Sequence, residues 1–295
     1  MGSELSTVLQ LFMRSLETGS VYALAALGIV IVFRTSFVMH FAQGSMGMFS
    51  TFAVAYLLAR LHIPLVTATL AGVLVAIVMG FLVDLLVVRR MRKASNVAKE
   101  IVTLGLIMIF LGLAPILFGS DPLLLPKFLN TGDILIGNAA ISYNAILNIV
   151  MGLAITAVLF YVLQKTKMGL AVRTTASNED TARLMGVPTR QVTLVAWALA
   201  GVLGLLSGVM IAPATTVTVS LMNPVQVNAL FACVLGGFQT FYGPVLGAYI
   251  IGIVNNFLIY YVSSTWGGQI MYLLILIFLI IRPNGIVGKK LIKKV

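Results

Sequence analysis

Long apolar stretches separated by short polar ones constrain this chain more than any other feature of its sequence. Crossing the hydrocarbon core of a bilayer takes about 20 apolar residues in a helix. Backbone groups in lipid must hydrogen-bond within their own segment, so such stretches predict helices. We expect an all-α polytopic membrane protein with about eight to nine transmembrane helices, some of them broken or re-entrant. Nine candidate spans lie at residues 15–33, 38–59, 64–88, 101–118, 145–163, 192–212, 225–238, 244–262 and 269–281.

Charge is scarce and unevenly placed. Charged residues make up 9 % of the chain, against about 25 % in a soluble domain. The net charge of +11 invites a nucleic-acid interpretation, but three polar stretches, 89–100, 165–190 and 282–295, hold 15 of the 19 Lys and Arg residues. Membrane proteins concentrate these residues on the cytoplasmic side. The charge therefore predicts orientation in a membrane and no nucleic-acid partner.

The basic stretches orient the predicted helices. The loop at 119–143 carries only Lys127 against Asp121 and Asp133, so we expect it outside the membrane as an ordered loop. Threading the spans between these anchors places the N-terminus outside and the C-terminus in the cytoplasm. The segment 38–59 contains His40, Gln43 and two glycines, and if it is re-entrant the N-terminus is on the other side.

Two segments predict interrupted helices. Residues 40–47 and 236–244 are rich in Gly, and the second ends in Pro. Interrupted apolar segments in the two halves of a transporter often flank the substrate path. Glycine also lets helices approach closely, and we favour that packing interpretation for the glycines within 201–208 and 243–252.

Groups that could do chemistry are few. Only Glu17 and Asp84 among the acids lie near or within spans, and Asp84 is placed to pair with Arg89 at the basic end of its helix. This pattern offers no relay for ion coupling. His40 and His62 lack metal-ligand spacing, and no phosphate-binding loop occurs. We expect no catalytic residues, no metal site and no cofactor on this chain, so energy must come from a partner.

Uncharged polar residues inside the spans are more frequent. A buried amide without a partner costs about 4–8 kcal/mol by transfer estimates. Each such residue therefore bonds a neighbouring helix or faces a wet passage, and for any one of them helix bonding is the simpler explanation. As a group they suggest a passage for a small polar solute. The candidates for the translocation path are Thr18, Tyr22, Gln43, Ser45, Gln226, Asn228 and Gln239.

A short helix is predicted in the polar stretch 165–190. Ser177 or Asn178 can cap its N-terminus, acids then fall in the first turn, and Gly186 followed by Pro188 ends it. It either rests on the membrane surface as an amphipathic helix or docks a cytoplasmic partner. The residues of this candidate site are Ser177, Asn178, Glu179, Asp180, Ala182, Arg183, Leu184 and Gly186.

Several motifs resemble the LivH-type permeases of branched-chain amino acid ABC importers along nearly the whole chain. Residues 18–28 resemble the first span of that family, and Phe41-Ala-Gln-Gly-Ser45 resembles its Phe-Ala-His-Gly element, with Gln in place of His. Residues 168–186 are similar to its coupling loop. Residues 232–247 resemble its Ala-Val-Leu-Gly-Gly element with the Gly-x-x-x-Gly that follows, and 282–288 its closing Pro-x-Gly motif.

The resemblance implies a single transmembrane permease domain, 1–295, with a cytoplasmic coupling loop at 165–190, in the bacterial inner membrane. It implies that Glu179, Arg183 and Gly186 contact an ATPase subunit. The implied partners are a second permease subunit or another copy of this one, two ATPase subunits that bind ATP and Mg²⁺, and an extracytoplasmic solute-binding protein. The cargo would be branched-chain or other amino acids. The alternatives are a stand-alone facilitator or ion-coupled carrier for a solute such as urea, and a membrane enzyme, which no clustered catalytic groups support.

Overall fold

A computed structural model describes residues 2–91, 94–129, 132–137 and 139–288. The basic residues at 92, 93 and 289–295 lie outside the described part. The described chain is mainly helical with one small hairpin. Its helices and strands are α1 (Gly2–Ser36), α2 (Gln43–Leu61), α3 (Leu65–Leu86), α4 (Asn96–Phe118), β1 (Asp133–Ile136), β2 (Ala139–Ser142), α5 (Tyr143–Lys165), α6 (Lys167–Ser177), α7 (Glu179–Leu184), α8 (Thr189–Ile211), α9 (Asn223–Gly236), α10 (Tyr242–Tyr261) and α11 (Gly267–Ile281).

Within the described residues, six helices are long and apolar enough to cross a membrane. They are α1, α3, α4, α5, α8 and α10. Three other predicted spans correspond to α2, α9 and α11, which have 19, 14 and 15 residues. At 1.5 Å per residue, α9 is about 21 Å long, which is shorter than the hydrocarbon core of about 30 Å. The fold is a polytopic helical membrane protein, and the predicted count of eight to nine spans is not confirmed.

The molecule has two chemically distinct ends. At the end we call the basic face, Arg89 and Arg90 lie beside α7 and Arg190. At the opposite end, the hairpin face, the β1–β2 hairpin contacts the N-terminal part of α1, where Gln10 Nε2 donates to the carbonyl of Ala140 at 3.4 Å. The chain therefore brings two of its basic stretches together at one end.

Helices α1 and α8 form the centre of the bundle. Helix α1 packs against α5, α8, α9 and α10, and α8 also packs against α2 and α3. Several of these contacts require glycine. A Cβ on Gly201 would lie 2.6 Å from a backbone carbonyl oxygen of α3, and one on Gly252 would lie 2.8 Å from the carbonyl oxygen of Ser15. The packing interpretation of these glycines is confirmed.

Both predicted interruptions are present, with one shift. Helix α1 ends at Ser36, Phe37 has a φ of +52°, and α2 begins only at Gln43. The first break therefore spans 37–42, and residues 43–47, expected to be irregular, are helical. The second break separates α9 from α10 at 237–241, beginning with Gly237 at a φ of +93°.

The loop predicted to lie outside the membrane contains the β1–β2 hairpin, which the all-α prediction did not include. Strands β1 and β2 pair antiparallel, with Asp133 opposite Ser142. Earlier in the same loop, Leu123 and Val217 exchange two backbone hydrogen bonds of 3.1 and 2.8 Å. These bonds fix the loop against the segment between α8 and α9, so the expectation of an ordered loop is confirmed for its described residues.

Candidate functional site

The polar stretch between α5 and α8 contains two helices, where the sequence predicted one. Ser177 is the last residue of α6, an 11-residue helix that the sequence analysis did not predict, and α7 spans only Glu179–Leu184. The assignment of Ser177 to the coupling helix was therefore wrong. Asn178 separates the two helices in an extended conformation with φ −160° and ψ 111°, and its Oδ1 accepts a hydrogen bond from the Thr181 amide at 2.9 Å.

Both ends of α7 are fixed by the residues that the sequence singled out. Glu179 Oε1 accepts a hydrogen bond from Arg183 at 2.7 Å, one helical turn away. Gly186 has a φ of +81°, a backbone conformation that disfavours residues with a side chain, and its amide donates to the Arg183 carbonyl at 3.1 Å. Ala182 is the one residue of α7 that is buried. Glu179 is half-buried, and Asp180, Thr181, Arg183 and Leu184 are exposed.

A broad cavity of about 800 Å³ lies beside α7 on the basic face. Its lining includes four arginines, Arg89, Arg90, Arg183 and Arg190, together with Glu179 and Asp180. Next to it, Leu184 and Met185 are 89 % and 79 % exposed. This part of the basic face therefore combines charged side chains of both signs with two exposed apolar ones.

The ion pair predicted at the basic end of α3 is present. Arg89 Nε donates to Asp84 Oδ2 at 2.9 Å, and the Asp84 side chain is 1 % exposed against 32 % for Arg89. The same arginine lines the cavity beside α7. Arg89 thus connects a buried carboxylate of α3 with the cavity beside α7.

The predicted path residues fall into separate places. Tyr22 and Asn228 are buried and bonded to each other, with Asn228 Nδ2 donating to Tyr22 Oη at 3.0 Å. This bond joins α1 to α9 in the middle of the bundle. It is a helix-to-helix contact of the kind the sequence analysis gave as the simpler explanation.

Gln43, Ser45 and Gln226 lie where the N-terminal ends of α2 and α9 meet. Gln43 is fully buried, and its Nε2 donates to the Ala200 carbonyl at 2.7 Å. Gln226 Oε1 accepts from the Gly44 amide at 2.6 Å, beside a small cavity of about 40 Å³ that Ser45 also lines. Gln43 therefore contributes to helix packing here, and a passage at this point would require α2 and α9 to separate.

Gln239 and Thr18 lie at opposite ends of the molecule. Gln239 lies within the second helix break, where the residue lines a cavity of about 290 Å³ and its carbonyl accepts a hydrogen bond from Arg34 at 2.5 Å. Thr18 lines a cavity of about 580 Å³ at the hairpin face. The seven candidates do not share one cavity in this conformation.

The hairpin-face cavity contains polar residues that the sequence analysis did not assign to the path. Arg14, Glu17 and Asn256 line it together with Thr18. Asn148, which is 1 % exposed, donates to Glu17 Oε1 at 2.7 Å. Arg14 and Glu17 are three residues apart on α1, but the cavity that they line also needs the hairpin, whose position no local pattern indicates.

The six long apolar helices and the charged residues at the two ends of the bundle define a multi-pass membrane protein. The chain belongs to the family described as branched-chain amino acid transport system / permease component, whose model matches residues 11–280.

Relatives that match over nearly the whole chain are named for the same kind of transport system. The chain is 24 % identical over 306 residues to the high-affinity branched-chain amino acid transport system permease protein LivH of Escherichia coli K12, covering 97 % of each chain. It is 25 % identical to the corresponding BraD protein of Pseudomonas aeruginosa, covering 99 % of each, and 25 % identical to a probable LivH of Methanocaldococcus jannaschii, covering 90 % of this chain and 88 % of that one. No solved structure matches the chain.

Proposed function

We propose that this chain is a transmembrane subunit of a binding-protein-dependent ABC importer that carries branched-chain or other amino acids. The observation that carries the proposal is the family match over residues 11–280, together with full-length relatives named for branched-chain amino acid transport. The chain itself is non-catalytic and binds no cofactor. ATP and Mg²⁺ are bound by the partner ATPase subunits.

The coupling surface of this proposal is α7 with the cavity beside it. A short helix held by a cap and an ion pair, with Leu184 and Met185 exposed, suits a groove on a cytoplasmic subunit. The arginines around the cavity suit acidic groups on that subunit. Nucleotide-driven movement of the ATPase would then reach α3 through Arg89 and Asp84, and α8 through its first turn.

The orientation follows from the same surface. The basic face lies in the cytoplasm with residues 165–190 and the C-terminus, and the hairpin face lies outside with the N-terminus. This arrangement needs nine membrane passages, so α2, α9 and α11 complete the six long helices. We propose one transmembrane domain, 1–295, in the inner membrane. Its partners are a second permease subunit or a second copy, two ATPase subunits and an extracytoplasmic binding protein.

Two substitutions in the coupling loop test the proposal. In Gly186→Pro, proline cannot adopt the φ of +81° and removes the amide that bonds Arg183. Glu179→Arg replaces the ion pair in α7 by a like-charge pair. We expect both variants to insert in the membrane but to lose co-purification with the ATPase subunits.

Gly137→Pro is the matched control, because Gly137 also has a positive φ, +62°, but lies in the hairpin at the opposite face. It should retain the ATPase subunits. Normal ATPase binding by both coupling-loop variants, or its loss in the control alone, would contradict the assignment of α7.

A further inference from the structure

The hairpin-face cavity brings charges of both signs together beside apolar side chains. We propose that it is an entry site for the zwitterion of an aliphatic α-amino acid, in which Glu17 receives the ammonium group and Arg14 the carboxylate. The inference rests on the proposed function and deepens it, because it assigns a solute-binding site to this subunit. None of the charged residues involved was a predicted path residue.

The charge balance of the cavity is the first argument. Its charged lining residues are Arg14, Glu17, Lys127 and Asp133, two cations and two carboxylates. A cationic or anionic solute would meet as much repulsion as attraction there. An uncharged solute such as urea would have to replace water on charged groups without supplying a charge in return. A zwitterion presents one group of each sign, so it matches a site with no net charge.

Position on the helix is the second argument. Arg14 and Glu17 are three residues apart on α1, so their Cβ atoms lie about 5–6 Å apart on one face. The buried Asn148 holds Glu17 in place, because its Nδ2 donates to Glu17 Oε1 at 2.7 Å. The same nitrogen also donates to the Met210 carbonyl at 3.4 Å. A carboxylate accepts several hydrogen bonds. The Asn148 contact therefore orients Glu17 without occupying all of its acceptor positions.

Size and lining are the third argument. The cavity of about 580 Å³ also exposes apolar surface from Met13, Ile141 and Met210, which suits an aliphatic side chain. From Gln10 to Thr18 the cavity follows α1 for about 12 Å. At its inner end Asn256 Nδ2 donates to Thr18 Oγ1 at 3.3 Å, one helical turn before the buried Tyr22. The cavity thus leads from the hairpin face toward the polar pair in the bundle.

Arg14→Gln and Glu17→Gln test the site, since each removes one charge and keeps a polar side chain. The complete importer, with this chain, its partner permease, the ATPases and the binding protein, is reconstituted in proteoliposomes. Uptake of radiolabelled L-leucine is measured against the concentration of leucine-loaded binding protein. We expect the maximal rate to fall about tenfold in each variant, the factor that corresponds to about 1.4 kcal/mol. The half-saturating concentration of binding protein should not change.

Arg60→Gln and Glu4→Gln are matched controls, because both residues are exposed and lie outside the cavity lining. They should transport within twofold of the wild type. Because Arg14 is exposed, Arg14→Gln should assemble normally. This variant therefore tests the entry site even if Glu17→Gln fails to assemble.

Three results would overturn the inference. Wild-type uptake by Arg14→Gln refutes the site while leaving the importer proposal intact. A raised half-saturating concentration with an unchanged maximal rate shows that the cavity receives a segment of the binding protein instead of the amino acid. If the wild-type importer assembles but carries no amino acid that its binding protein delivers, the proposed function fails, and the entry site fails with it.

Discussion

Replacing Asn178 by alanine should loosen α7 and uncouple transport from ATP hydrolysis. The Asn178 side chain accepts the Thr181 amide hydrogen at 2.9 Å, and losing an N-cap of this kind costs about 1 kcal/mol. The Glu179–Arg183 pair, one helical turn apart within α7, contributes only about 0.3–0.5 kcal/mol. The cap is therefore the larger of these two local contributions to the order of a six-residue helix.

A loss of 1 kcal/mol raises the open fraction of α7 about fivefold. Hydrogen exchange of the segment 178–187, followed by mass spectrometry, should therefore accelerate by about that factor in Asn178→Ala. In proteoliposomes the same variant should take up less amino acid for each ATP hydrolysed, because a frayed helix transmits less of the ATPase movement.

Ser95→Ala provides the matched control. Ser95 caps α4 on the basic face through a longer bond, with its Oγ accepting from the Ala98 amide at 3.3 Å, and α4 has 23 residues. The control should leave both α7 exchange and coupling unchanged. Unaltered exchange at 178–187 in Asn178→Ala would refute the argument that this cap holds α7.

Two further substitution pairs test the packing. Gly201→Ala should destabilise the folded protein by about 1–3 kcal/mol, because its Cβ would lie 2.6 Å from a carbonyl oxygen of α3. Gly112→Ala, whose Cβ would have no neighbour within 4 Å, should stabilise the folded protein by up to about 1 kcal/mol. Thermal unfolding in detergent measures both changes, and changes of the same sign would contradict the packing. Arg89→Leu should lower the stability of the folded protein by about 2 kcal/mol. Breaking a fully buried ion pair costs roughly 3–5 kcal/mol, and the loss is smaller here because Arg89 is 32 % exposed beside the buried Asp84. Arg60→Leu, which removes an exposed pair, should change stability by less than about 1 kcal/mol in the same assay, and an equal loss in both variants would refute the distinction.

Elements set by local chemistry were predictable from the sequence. Apolar length located the long helices, and the Asn178 cap and the helix-ending Gly186 were readable from a few adjacent residues. The Asp84–Arg89 pair was predictable for the same reason, since five residues separate its members. The packing glycines followed from their periodic spacing.

Features set by tertiary contacts were not predictable. Helix α6 was missed because its 11 residues are mixed in polarity. Gln43 looked like a path residue in the sequence, yet its Nε2 donates to a carbonyl of α8 that lies 157 positions away. The hairpin-face cavity depends on α1, α5, α10 and the hairpin together. Only the assembled fold shows that Arg14 and Glu17 line a shared space.

The most direct test of the account measures uptake of radiolabelled L-leucine by liposomes of two kinds. One kind contains this chain alone, and the other contains the chain with its partner permease, ATPase subunits and loaded binding protein. We expect uptake only in the complete assembly, and only with ATP on the side of the basic face. Leucine flux down its gradient through the chain alone, without ATP, would contradict the importer account.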